Sequence, residues 1–350
     1  MRVMLGVSAF LAGCLILAAV WCNVLRTVPA PGQRPPLLMH AVLRWVPPVA
    51  LALARTVPGR ARGWVLDLIG PFVLFLVLAC WLTALLLGFA LIAVSFGGVP
   101  ATPVGLAGWL RGADPAGSAQ IGETEWRDDV VTLVAWANIG IVVLVFAAHL
   151  VCLVSAYSRR ELVVSMLATQ ARRPPDAERL LVPYLRSGTT ARLDDELARW
   201  ARWLGDVQAT HTACPALMFC RSSTSLNWLT AAVIMLDAAA LMYAVAPGWA
   251  PPHTRTLLCT GAHCLQTLQQ RIGIFRPPPV VSFEGREEVD FHHTLQEVAA
   301  AGLPAERDEA QASKIFQEWR IRYAPYAAAI AAHLLYDCAI ADGSRFACEE

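Results

Sequence analysis

Two apolar runs constrain this chain more than anything else in it. Gly70–Ser95 (GPFVLFLVLACWLTALLLGFALIAVS) has no charged residue, and Val130–Tyr157 (VVTLVAWANIGIVVLVFAAHLVCLVSAY) carries only Asn138 and His149 as strongly polar side chains. At about 1.5 Å of rise per helical residue, each run exceeds the roughly 30 Å hydrocarbon core of a bilayer. Both are therefore predicted to be membrane-spanning helices. A helix, a loop able to re-enter the membrane and a second helix form the simplest subunit of a pore.

Composition agrees with a membrane protein that has a sizeable part outside the bilayer. Hydrophobic residues make up 56% of the chain and charged residues 16%, while the C-terminal half shows ordinary amphipathic patterning. The net charge of +1 makes no case for nucleic-acid binding. Ten cysteines are scattered, and Cys14, Cys22, Cys80 and Cys152 lie inside apolar runs. That placement fits small buried residues better than a disulfide framework.

A third apolar run, Val3–Leu25, opens the chain. Leu11-Ala12-Gly13-Cys14 matches a lipoprotein cleavage box, but the run continues past Cys14 to Trp21. A signal's apolar region should end at its cleavage site, so residues 1–25 are expected to be an uncleaved anchor helix. The connector, residues 26–69, carries Arg26, Arg34, Arg44, Arg55, Arg60 and Arg62 against the single acid Asp67. Within it, Leu37–Val57 is interrupted by Arg44 and Pro47-Pro48, which predicts two short interfacial helices with Trp45 and Trp64 at headgroup level. The loop Phe96–Asp129 has the opposite balance, with Arg111 and Arg127 against Asp114, Glu123, Glu125, Asp128 and Asp129. Basic flanks stay in the cytoplasm. The connector is thus expected inside, the acidic loop and the N-terminus outside, and everything after Tyr157 inside. Ser158-Arg159-Arg160-Glu161, directly after the last run, agrees.

From residue 158 onward the pattern is that of a soluble helical domain. Leu193, Leu197, Trp200, Leu204 and Val207 recur at spacings of four, three, four and three, which puts one apolar stripe on a helix. Helical patterning resumes at Arg255–Ile272, Glu287–Ala301, Glu306–Arg322 and Ala324–Cys338, with proline pairs and triplets between segments. Leu229–Ala246 is open to two readings. It is long enough for a fourth span, yet Asp237 at its centre costs roughly 3 kcal/mol in a bilayer. The favoured reading is a buried helix of the cytoplasmic domain with Asp237 capped or paired.

Candidate chemistry is sparse. His211-x-x-Cys214 and Cys259-x-x-x-His263-Cys264 lack the paired ligand spacing of a zinc site, so no metal is expected. No nucleophile elbow, metalloprotease, nucleotide-binding or dinucleotide fingerprint is present, so neither an enzyme nor a cofactor is expected. Asn138 and His149 are eleven residues apart, about three turns, and share a face with Val142 and Val145. In hydrocarbon such a face points at protein or water: it lines a pore, or it packs on a neighbouring helix. Glu123, Glu125, Asp128 and Asp129 would form an outer acidic ring in a symmetric oligomer, or a solvated loop in an isolated subunit.

Several segments together resemble bacterial potassium-channel-like integral membrane proteins of the two-helix pore type. They are Ile69-Gly70-Pro71-Phe72, Trp81–Leu91, Tyr157–Glu161, Ala171–Pro175, Trp200-x-x-Trp203, Phe219–Ser222, Asn227–Asp237 and Tyr323–Tyr326. The likeness spans nearly the whole chain in order and implies a homo-oligomer, tetrameric if channel-like, that handles potassium or other cations. It also implies that Leu229–Ala246 belongs to the cytoplasmic domain. The departure falls at the filter, which in that family reads T-x-G-[FY]-G-D, with glycines letting successive carbonyls face the ion. The corresponding stretch here is Pro115-Ala116-Gly117-Ser118-Ala119-Gln120, with only Gly117 at a degenerate filter position. Thr102–Gly108 echoes a filter but lies too far upstream and contains Pro103.

The expectation is an all-α, multi-pass protein of the cell membrane. It would have three transmembrane helices, a pore-type unit at residues 70–157 and a cytoplasmic helical domain at residues 158–350. Its expected function is an ion-channel-type pore subunit. The alternative is a non-conducting scaffold or sensor that uses its cytoplasmic domain for protein interactions.

Overall fold

The computed structural model describes residues 2–27, 37–58, 60–95, 125–170, 177–222, 226–272 and 286–336. Among these the chain is all-helical, and it divides into two units. The first comprises Met1–Ala52 and Leu68–Leu153, the second Leu53–Asp67 and Val154–Glu350. The predicted connector is therefore shared: residues up to Ala52 belong to the first unit and Leu53–Asp67 to the second.

Four helices open the chain: α1 (Arg2–Thr27), α2 (Leu37–Thr56), α3 (Arg60–Ser95) and α4 (Glu125–Gln170). The expectation of two short helices over residues 37–57 is corrected, because α2 runs unbroken through Pro47 and Pro48. Each proline forfeits one helical hydrogen bond, but burial of Met39, Val42 and Leu51 along the same helix offsets that loss. The two central helices are also longer than their apolar runs. With 36 and 46 residues, α3 and α4 reach about 54 and 69 Å, well beyond a hydrocarbon core.

Inside the first unit the helices meet through small residues and aromatic edges. A Cβ on Gly13 of α1 would lie 2.7 Å from the Gly88 carbonyl oxygen of α3, so only glycine permits that backbone approach. Trp81 of α3 is 1% exposed and sets its ring edge-on to Phe146 of α4, with centroids 6.2 Å apart. Val73, Val77, Leu85 and Val142 complete this core, while Leu5, Leu15, Phe75, Leu133 and Leu144 stay on the outside.

In the second unit the helices are α5 (Ala177–Ser187), α6 (Thr190–Ala213), α7 (Trp228–Val245), α8 (His253–Ile272), α9 (Arg286–Ala300), α10 (Glu309–Arg320) and α11 (Ala324–Leu334). A single 3₁₀ turn, Pro215–Phe219, follows α6. The stripe Leu193, Leu197, Trp200, Leu204 and Val207 is buried on α6, which packs on α8. α7 is the core helix: every residue but Thr230, Asp237 and Tyr243 is buried, and α5, α8, α10 and α11 pack around it. Close packing on α8 is possible because Gly261 faces Leu236, whose side chain an added Cβ would run into.

Both ends of α7 are closed by polar groups of the same unit. At its start the Asn227 side chain accepts from the Thr230 amide at 2.8 Å. At its end Arg307 donates to the carbonyls of Tyr243 and Ala244 at 2.8 and 2.9 Å, and the Glu306 amide donates to Val245 at 3.1 Å. These bonds satisfy carbonyls that a helix end leaves without partners.

Four described helices are long and apolar enough to cross a membrane: Met4–Thr27, Ala61–Ser95, Val130–Thr169 and Trp228–Val245. The expected three are among them, and α7 is the fourth.

Candidate functional site

The face of α4 proposed from sequence to line a pore begins at Asn138. Its side-chain oxygen accepts from Trp21 Nε1 of α1 at 3.0 Å, and its amide nitrogen donates to the Val134 carbonyl at 2.8 Å. Val142 is fully buried, and Val145 and His149 are half-buried. A second interhelical bond of the same type joins Trp81 Nε1 to the side-chain oxygen of Asn23 at 3.2 Å. Each of these two indoles thus meets one side-chain amide on another helix. His149 Nε2 is buried and makes no hydrogen bond with the described residues. Of the other candidates, Gly117 and Glu123 lie outside the described residues, as do Pro115–Gln120 and Thr102–Gly108. Glu125, Asp128 and Asp129 fall in the first turns of α4.

The largest polar constellation is one the sequence reading missed, and it lies in the second unit around Arg160. Its guanidinium is 1% exposed and pairs with Glu161 at 2.8 Å. It also donates to the carbonyls of Leu217 and Cys220, at 3.1 and 2.7 Å, on the 3₁₀ turn and just after it. A fourth contact reaches His211 Nε2 at 3.0 Å. The rings of Tyr157 and Trp228 flank the charge at 5.1 and 5.8 Å, and Trp203 Nε1 donates to the Arg160 carbonyl. Ser222 donates to Glu161, whose other oxygen is buried without a hydrogen bond to the described residues.

His211 is neutral in this setting. An arginine has no lone pair to offer, so Nε2 must accept, and Nδ1 carries the proton toward the Val207 carbonyl at 2.9 Å. Burial first, and then the charge of Arg160, push its pKa down to about 3. The Cys214 thiol is pushed up to about 12 and Cys220 also upward, chiefly by burial. Groups so displaced do not exchange protons or attack electrophiles near neutral pH. The arrangement holds a charge in place rather than performing acid–base work.

Asp237 forms the second constellation. It accepts from the Tyr323 hydroxyl at 2.5 Å and from Arg320 Nε at 3.1 Å, which pairs the carboxylate as the favoured sequence reading expected. Burial, and then the neighbouring carboxylate, hold the Tyr323 phenol well above its usual pKa. The residues pooled from sequence as possible metal ligands do not converge. His211 belongs to the Arg160 cluster, Cys259 and His263 are exposed on α8, and Cys264 is buried with its thiol pushed up to about 12. Among the described residues, no three His, Cys, Asp or Glu side chains are grouped to hold a metal ion.

No protein-family model matches this chain, and no curated protein and no solved structure matches it either.

Proposed function

We propose that the chain is a potassium-channel-like integral membrane protein, an ion-channel-type pore subunit of a homo-oligomer that lacks a potassium-selective filter. The observation that carries this reading is the succession of α3 and α4, two helices of spanning length joined by residues 96–124. Such a connection is long enough to re-enter a membrane. In this reading α7 is the core of a cytoplasmic domain and not a span. Three features support that: 83% of its apolar window is buried in protein, Asp237 is bonded by Arg320 and Tyr323, and both ends are capped.

The second reading, a non-conducting membrane scaffold or sensor, is favoured by Asn138. Its amide is spent on Trp21, and Val142 beside it is fully buried. A face so occupied has little left to offer a passing ion. Ion flux through the purified full chain in liposomes separates the two. The pore reading expects weak cation flux with little discrimination of potassium from sodium, because Pro115–Gln120 supplies one glycine where the pattern wants two. Strong potassium selectivity, abolished by Gly117→Ala, would restore a complete channel. No flux from an intact oligomer would select the scaffold.

A further inference from the structure

We propose that the exposed face of α2 docks onto the headgroups of anionic phospholipids. Trp45 is 69% and Val49 66% exposed, and Ala52 follows three residues on, so one apolar stripe of the helix has no cover among the described residues. Val42, seven residues before Val49, is the buried end of the same stripe, and Met39, Leu51 and Ala54 on the other faces of the helix are buried, so the uncovered part runs from Trp45 to Ala52. Arg44, the residue before Trp45, is exposed and flanks the stripe on one side.

The charge around the stripe is one-sided. α2 contains no acidic residue, and from Arg26 to Ile69 the chain has six arginines and one acid, Asp67. A neutral protein partner would leave Arg44 without compensation. A leaflet with phosphate headgroups and net negative charge satisfies it, since a guanidinium binds phosphate oxygens in pairs. Tryptophan suits the same depth, with its ring among the upper acyl carbons and its N–H toward the headgroups. The chain also keeps α2 near such a surface. Thr56 and Arg60 are three intervening residues apart, and the charge-free run of α3 starts at Gly70, about 15 Å of helix further on.

This inference rests on the membrane placement of α3 and not on ion conduction. The test uses the full chain in liposomes of phosphatidylcholine with a minor fraction of phosphatidylglycerol. Bromine is carried on the upper acyl carbons of one lipid or the other at the same mole fraction. The quenching that belongs to Trp45 is obtained by difference from Trp45→Phe. Brominated phosphatidylglycerol should quench it about fivefold more than brominated phosphatidylcholine, the enrichment one arginine provides near an anionic surface. Arg44→Gln should remove that preference and Arg44→Lys should keep it. Equal quenching by the two lipids, or a preference that survives Arg44→Gln, would overturn the proposal. Absence of any Trp45 component would do so too, by showing that protein covers the stripe. Failure of the chain to float with vesicles of either composition would overturn the membrane placement as well, and so is distinguishable from the other failures.

Discussion

Arg159 and Arg160 are neighbours in sequence and opposites in role. Arg159 pairs with Asp206 at 3.2 Å on the surface, where its side chain is 55% exposed, whereas Arg160 is buried among carbonyls and rings. From sequence both read as a basic flank of a membrane span. The distinction was illegible because the groups that surround Arg160 come from His211 and from residues 217–220, which only the folded chain brings to it. Removing the guanidinium leaves Glu161 buried beside unpaired carbonyls, so Arg160→Met is expected to cost about 3–5 kcal/mol, read as a lowered melting temperature. Pairing it with Glu161→Gln should recover part of the loss. His211 makes a separate prediction. Its folded pKa of about 3 lies below the 6.5 of the free side chain, so the unfolded chain takes up the proton first. Stability is then complete above pH 6.5 and falls as the pH drops toward 3. Melting measured from pH 7 down to about pH 5, before carboxylates titrate, should show this slope. His211→Gln should flatten it except for a smaller contribution from His333, which burial also lowers.

Among the helices, periodicity was readable wherever burial is one-sided. The α6 stripe is the clearest case, since five residues at helical spacing face the core and charged ones face away. α2 was misread because a proline pair marks a break only where packing does not hold the helix together. α7 resisted assignment for the opposite reason: it is buried all round, and a helix apolar on every side looks the same whether protein or lipid surrounds it. Its capping groups, Asn227 and Arg307, lie outside the apolar stretch and come to its ends only in the folded chain. The contact of α1 with α3 yields a prediction at this scale. Gly88→Leu forces Leu17 and the Gly13 carbonyl away from their present positions and should destabilise the first unit by about 1–3 kcal/mol. Thermal unfolding in detergent should register that loss, while Gly140→Ala, where an added Cβ meets nothing within 4 Å, should leave stability unchanged or raise it slightly.

At the scale of the whole chain, the all-helical class and three of the four spanning-length helices were legible, because long charge-free runs admit few other folds. The arrangement of side chains that would make a pore was not, since it depends on copies of the chain and on residues 96–124. Reporter fusions test the proposed topology: a fusion at residue 50 or 190 should report the cytoplasm, and one at residue 110 the outside. An extracytoplasmic signal at residue 190 would invert the assignment. The bond from Tyr323 to Asp237 also has a consequence for how the chain is made. Its two partners are 86 residues apart, so at about 5–20 residues per second a ribosome delivers Tyr323 some 4–17 s after Asp237. At the start of that delay an eighteen-residue apolar helix is offered to the insertion machinery before the helices that follow it in sequence can cover it, and its carboxylate waits longest for Arg320 and Tyr323. The lone carboxylate is what makes the bilayer a poor refuge for the nascent segment. Asp237→Leu should therefore divert part of the newly made chain into the membrane, seen as a glycosylation or protease-protection signal from a tag placed after Val245.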